Sequence, residues 1–141
     1  MWPATFEERL SSWHTLRKTA ASEDLESAMN TINDWWFTTP MISHHLHWDD
    51  HKNWPTPWDL LADNQFCDIA RAVGIVYTIA IIEHPEVQDI EMVRTDHDNL
   101  VLVNQGKYIL NWAPRHLLNI SFDTINIKQR LSVDAIRHLL G

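Results

Sequence analysis

The chain is poor in the residues that several classes of protein require. It has one cysteine, Cys67, among 141 residues, so no disulfide can close within it, and a lone thiol suits a reducing compartment. Glycine occurs three times, which argues against a low-complexity or linker-like chain. Basic residues are few: eleven Lys and Arg stand against nineteen Asp and Glu, for a formal charge of −8. They are scattered, so no basic patch for nucleic acid is expected. The opening stretch, MWPATFEERL, lacks a basic region followed by an apolar run, so no signal peptide is expected there. The longest apolar run, Ala72 to Ile82, is interrupted by Gly74 and Thr78 and is too short to span a bilayer. The expected setting is the cytoplasm, or a particle assembled there.

What is present is an apolar fraction of 45% and eight tryptophans. One domain's length of chain with that composition can bury a sizeable core. Each indole brings a large apolar area and one N–H that needs an acceptor, so most should anchor the core or an interface. Any left at the surface are candidates for self-association.

Thr5 to Glu8 reads T-x-x-E, a capping box, and Phe6, Leu10, Trp13 and Leu16 follow at helical spacing. This predicts an amphipathic helix over 5–20. Ser22 is a second candidate N-cap, before a face of Leu25, Met29, Ile32 and Trp36. Pro40 closes that region. Thr56, Pro57 and Asp59 form another helix start. Helical character is expected to end at Gly74, and the β-branched run IVYTIAII then reads as a buried strand. Residues 89–95 read as a strand, and LVLV and YILNW flank NQGK as a hairpin. Residues 117–127 read as a further strand, and Ser132 caps a final helix bearing Ala135, Ile136, Leu139 and Leu140. The order is α+β, with an antiparallel sheet in a single domain over 1–141.

Two places could carry chemistry. The segment HHLHWDDH offers His45, His47 and Asp49 in strand phase, and imidazole with carboxylate suits zinc. The spacing matches no established ligand pattern, and a polar loop with solvated or hydrogen-bonded histidines explains it better, so no cofactor is expected. The second place is Cys67. If the helix from Pro57 breaks at Ala62-Asp63-Asn64, Asn64 can cap a new helix with Cys67 in its first turn, where a thiolate is favoured. A buried apolar cysteine is the alternative.

The stretch around Cys67 resembles the transglutaminase-like superfamily, chiefly its bacterial cysteine-proteinase branch. The matching residues are Trp54, Thr56, Pro57, Asp59, Leu61, Cys67, Asp68 and Ala70, followed by ARAVGIVYTI. MNTINDWW and LHWDD upstream, and HDNLVLVNQGKYILN downstream, extend the resemblance over about residues 29–112. The likeness implies a papain-like core in which Cys67, His97 and Asn111 form a catalytic triad for acyl transfer to water or an amine. It equally implies a catalytically silent member acting as a structural or assembly protein, set in a tailed-bacteriophage virion. Either way the expected partner or substrate is a protein. The sequence departs from the family's G-D-C, which is Gln65-Phe66-Cys67 here, and from its Asp, which is Asn111.

The triad makes a geometric demand, because strand side chains alternate faces. A two-residue loop, Gln105-Gly106, pairs Val103 with Tyr108 and puts His97 and Asn111 on opposite faces. A three-residue loop, Asn104 to Gly106, pairs Val103 with Lys107 and puts them on one face. Glycine in the third position predicts the second register.

Overall fold

Thr5 starts the first helix as its side chain predicts. Its hydroxyl accepts from the Glu8 N–H at 3.2 Å and donates to the Glu8 carboxylate at 2.9 Å. The computed structural model of the protein, which describes residues 2–42, 46–113 and 126–137, places helix α1 at Phe6–Ser22. Trp13, Leu16 and Ala20 line its buried face. Ser22 ends α1 rather than capping α2. The cap of α2 (Leu25–Trp36) is Asp24, whose carboxylate accepts from the Ser27 N–H at 3.2 Å. The predicted face of Leu25, Met29, Ile32 and Trp36 is buried.

After a short 3₁₀ segment at Trp48–Asn53 comes α3 (Pro57–Asp63), opened by a reciprocal Thr56–Asp59 capping box with proline in its first turn. It stops at Asn64, which adopts the left-handed conformation (φ 56°) that asparagine tolerates. The expected break is therefore present, but Asn64 closes α3 instead of opening the next helix. Cys67, with extended backbone, takes the N-cap position of α4.

Helix α4 (Asp68–Ile82) corrects the largest expectation of the sequence reading, because IVYTIAII is helix and not strand. From Ile69 to Ile79 every residue but Arg71 is buried. A helix enclosed on all sides loses the polar stripe that reveals helical period, and its β-branched content then mimics a buried strand. Gly74 is no C-cap. It lies against the Trp36 indole so closely that a Cβ there would sit 2.5 Å from the ring. The helix ends at Glu83, in left-handed conformation (φ 48°).

The sheet comprises β1 (Ile90–Arg94), β2 (Asn99–Val103), β3 (Tyr108–Leu110) and β4 (Gln129–Ser132), in the order β3-β2-β1-β4, with every pair antiparallel. One face carries Ile90, Met92, Val101, Val103 and Leu110 into the main core with α4. The opposite face holds a second cluster of Val93, Leu100, Leu102 and Ile109, joined by Ile127. The protein is α+β, with helices and a cysteine-bearing element packed on an antiparallel sheet, as expected. Strand β4 was not anticipated. Ser132 does precede a helix, α5 (Val133–Ile136), without a side-chain cap bond. Most of the strand read at 117–127, along with Leu139 and Leu140, lies outside the described residues, while 126–127 are not strand.

The hairpin takes the register that was not expected. Val103 pairs with Tyr108, Leu102 with Ile109 and Val101 with Leu110. Gln105 and Gly106 both have positive φ (58° and 84°), as a type I′ two-residue turn requires, closed by Lys107 N–H to Asn104 C=O at 3.2 Å. Tertiary contacts select this turn. Asn104, itself left-handed, accepts from the Gln88 N–H at 2.7 Å and donates to the Glu86 carbonyl at 2.9 Å.

Candidate active site

Cys67 arrives at the start of a 15-residue helix because α3 breaks at Asn64 and Phe66 is drawn into the core. Ile42 N–H donates to the Phe66 carbonyl at 2.8 Å, fixing the chain just before the cysteine. Cys67 itself is 3% exposed. Its sequence neighbour Asp68 is the hub of a polar corner between α4 and the sheet. One Asp68 oxygen accepts from Arg71 at 3.0 Å and from the Asn111 amide at 3.3 Å. The other accepts from the Asn99 backbone N–H at 3.1 Å and the Asn99 side-chain amide at 2.8 Å.

Arg71 is held from three sides. Its Nε donates to Asn111 Oδ1 at 2.6 Å, its terminal nitrogen meets Asp68, and its guanidinium carbon lies 3.8 Å from the Phe37 ring centroid. Burial draws the guanidinium below its ordinary range, and the Asp68 carboxylate works against that shift, as does the nearby Cys67.

Asn111 follows the last residue of β3 and leaves the ladder with φ 69°. That turn swings a side chain from the far-face phase back toward α4. Its amide donates to the Asn99 carbonyl at 2.7 Å and the Asp68 carbonyl at 3.2 Å, and its backbone N–H donates to Asn33 at 2.9 Å. Asn33 in turn donates to the Ala113 carbonyl, and Trp48 donates its indole N–H to Asn99 at 2.6 Å. Every polar atom of the Asn111 side chain is therefore engaged.

His97 stands elsewhere. It lies in the β1–β2 turn, where Thr95 Oγ1 accepts from the His97 and Asp98 N–H groups. It is exposed and lines an open cleft of about 410 Å³ with Arg94, Thr95, Asp96, Asp98, Asn99 and Lys128. Neither Cys67 nor Asn111 lines that cleft. The structure thus brings Cys67 and Asn111 to the same corner through Asp68 and Arg71, and it does not bring His97 there. The β2 residue that does reach the corner is Asn99.

Of the candidate metal ligands, His45 lies outside the described residues, while His47 precedes the 3₁₀ segment and Asp49 is within it. Among the described residues no group of three or more His, Cys, Asp or Glu side chains is arranged to hold a metal ion. Sequence reasoning missed Arg71, Asn99, Asn33 and Trp48. The available signal was polar residues in apolar phase: Asn33 within a buried helix face and Asn99 at the head of LVLV.

No family model, curated protein or solved structure matches the chain. Among the described residues, no helix is long and apolar enough to cross a membrane.

Proposed function

We propose that this protein is a catalytically silent transglutaminase-like module that works as a structural or assembly part with a protein partner. One observation carries the reading: among the described residues no imidazole is hydrogen-bonded to Cys67 or Asn111, and the polar groups around the cysteine already satisfy one another. A cysteine acyltransferase needs a base within hydrogen-bond reach of its thiol and an orienting group free to hold that base. Here the Asn111 amide is occupied by Asp68 and Asn99, and its oxygen by Arg71. The family resemblance is supported by the order of elements: a cysteine at the head of a buried helix, followed by an antiparallel sheet whose third strand ends just before Asn111.

Exposed apolar side chains support a binding role. Met41, Ile42, Trp58 and Trp112 are 43–46% exposed, and three of the four flank the corner. Met41 bridges to Phe66, Ile42 bonds to it, and Trp112 follows Asn111. The setting in a tailed-phage particle assembled in the cytoplasm rests on likeness of sequence.

The test is alkylation of Cys67 against pH, native and unfolded, alongside hydrolysis of amide and thioester substrates. The silent module is expected to label only after unfolding and to give no turnover. Rapid native labelling with an apparent pKa well below about 8.5, and turnover lost in Cys67→Ala, would instead make it an enzyme.

A further inference from the structure

At the opposite end of α4, His84 joins three parts of the fold. The ring is 7% exposed. Its Nε2 lies 2.9 Å from the carbonyl of Glu23, which with Asp24 joins α1 to α2. Its Nδ1 lies 3.1 Å from the backbone N–H of Glu86 in the α4–β1 turn. A carbonyl can only accept and a backbone N–H can only donate, so the two contacts together assign the neutral Nε2–H tautomer. The same turn is tied to the β2–β3 hairpin through Asn104, which bonds Glu86 C=O and Gln88 N–H.

Acidic residues flank the ring on both sides. Glu23 and Asp24 belong to the α1–α2 joint whose Glu23 carbonyl meets the ring, and Glu83, Glu86 and Asp89 belong to the α4–β1 turn. Arg137, after α5, shares the adjoining cleft. Asp24 is close enough to respond to His84, although its carboxylate is held below the usual range chiefly by Ser27. One Glu23 carboxylate oxygen is buried without a hydrogen-bond partner. Hydrogen-bond geometry therefore requires a neutral ring, because a protonated ring would present a donor at Nδ1 to the Glu86 N–H.

We propose that His84 is a proton-operated latch between the helical hairpin and the α4–β1 turn. In the neutral state it holds Glu86 N–H. On protonation, Nδ1 becomes a donor facing another donor, so the ring gives up Glu86 and turns toward the carboxylates of the α1–α2 joint. The released turn is the one that Asn104 ties to the β2–β3 hairpin, so the loosening reaches the sheet edge as well.

The experiment follows the His84 ring signals by NMR from about pH 8 to about pH 5, together with exchange of the Glu86 amide corrected for its intrinsic rate. Protection at Glu86 is expected to fall by about fivefold, in step with the ring titration, as suits loss of one hydrogen bond. His84→Asn supplies the control, because an asparagine oxygen accepts from its own backbone two residues on and does not titrate. In that variant, Glu86 protection should be independent of pH. A ring that stays neutral throughout this range in the folded protein, or one that titrates while Glu86 protection holds constant, refutes the latch. Equal pH dependence in His84→Asn refutes it too.

Discussion

Helix α4 carries two polar clusters, and they are built differently. At mid-helix, the Thr78 hydroxyl accepts the indole N–H groups of Trp13 and Trp36, both at 3.0 Å, and donates to the Gly74 carbonyl at 2.8 Å. A hydroxyl has one hydrogen to donate and two lone pairs, so this one is saturated by neutral partners. At the helix start, Asp68 gathers an arginine and two asparagines, and its side chain remains 38% exposed. The first cluster locks α1, α2 and α4 to one another without any charge. The second joins helix to sheet with an ion pair and amides, in the place where a nucleophile's helpers would be needed. The side chains at the corner beside Cys67 therefore bond chiefly to one another, through one ion pair and two amides, where the mid-helix cluster needs only neutral groups.

Breaking the mid-helix cluster should cost most. Thr78→Val keeps the shape but strands two buried indole N–H groups, and we expect a loss of about 3–4 kcal/mol, read from urea midpoints. Thr78→Ser, which keeps both acceptors, should recover most of it. If the two variants prove equally stable, the hydroxyl is not the lock described here.

Gly74→Ala tests the packing beside that cluster. Alanine favours helix over glycine by about 1 kcal/mol, but a Cβ 2.5 Å from the Trp36 ring must displace it. Overpacking should win, for a net loss of about 2 kcal/mol. Thermal unfolding of Gly74→Ala alone and with Trp36→Leu would separate the effects, since the second change should partly relieve the first.

At the corner, Asp68→Ala removes one acceptor group from Arg71, Asn99 and Asn111. The expected loss is about 2 kcal/mol, reduced by partial exposure of the carboxylate. A double-mutant cycle with Asn99→Ala should show coupling, because the Asn99 side-chain amide donates to the Asp68 carboxylate. The same variants sharpen the functional contrast: opening the corner should raise native labelling of Cys67, and no change in labelling would show that the network does not shield the thiol.

The smallest effect concerns alkaline pH. Tyr77 is buried and donates to the Pro55 carbonyl at 3.0 Å; burial, with a lesser contribution from Asp59, pushes its hydroxyl far above the ordinary range. The folded state therefore binds this proton more tightly than the unfolded chain. Its contribution is whole below about pH 10 and is lost as pH rises beyond that. Urea midpoints should fall across that alkaline range, and Tyr77→Phe should flatten the slope at a cost of about 1 kcal/mol at neutral pH.

Local chemistry was readable wherever a residue acts on its own neighbours. Thr5, the Thr56-Pro57-Asp59 start and the break near Asn64 are all visible because caps and breakers need only a few residues of chain. The strands from Ile90 to Leu110 were readable from their β-branched runs and the glycine turn. Illegible were α4, enclosed on every side and so without period, and the hairpin register, which Asn104 sets through contacts with the α4–β1 turn. The placement of His97 depended on that register and on the Thr95 turn, which ends the β1–β2 connection two residues after the histidine.

By itself the sequence determined an α+β chain with no internal disulfide and the caps that start α1 and α3, because those properties follow from composition and from bonds spanning three or four residues. Only the tertiary structure decided that Asn99, and not His97, meets Asn111 beside Cys67. That outcome depends on a left-handed Asn111, a two-residue turn and an aspartate 31 and 43 positions away from its partners in the chain. Contacts across such separations form only once packing has brought the elements together, and no local pattern records them.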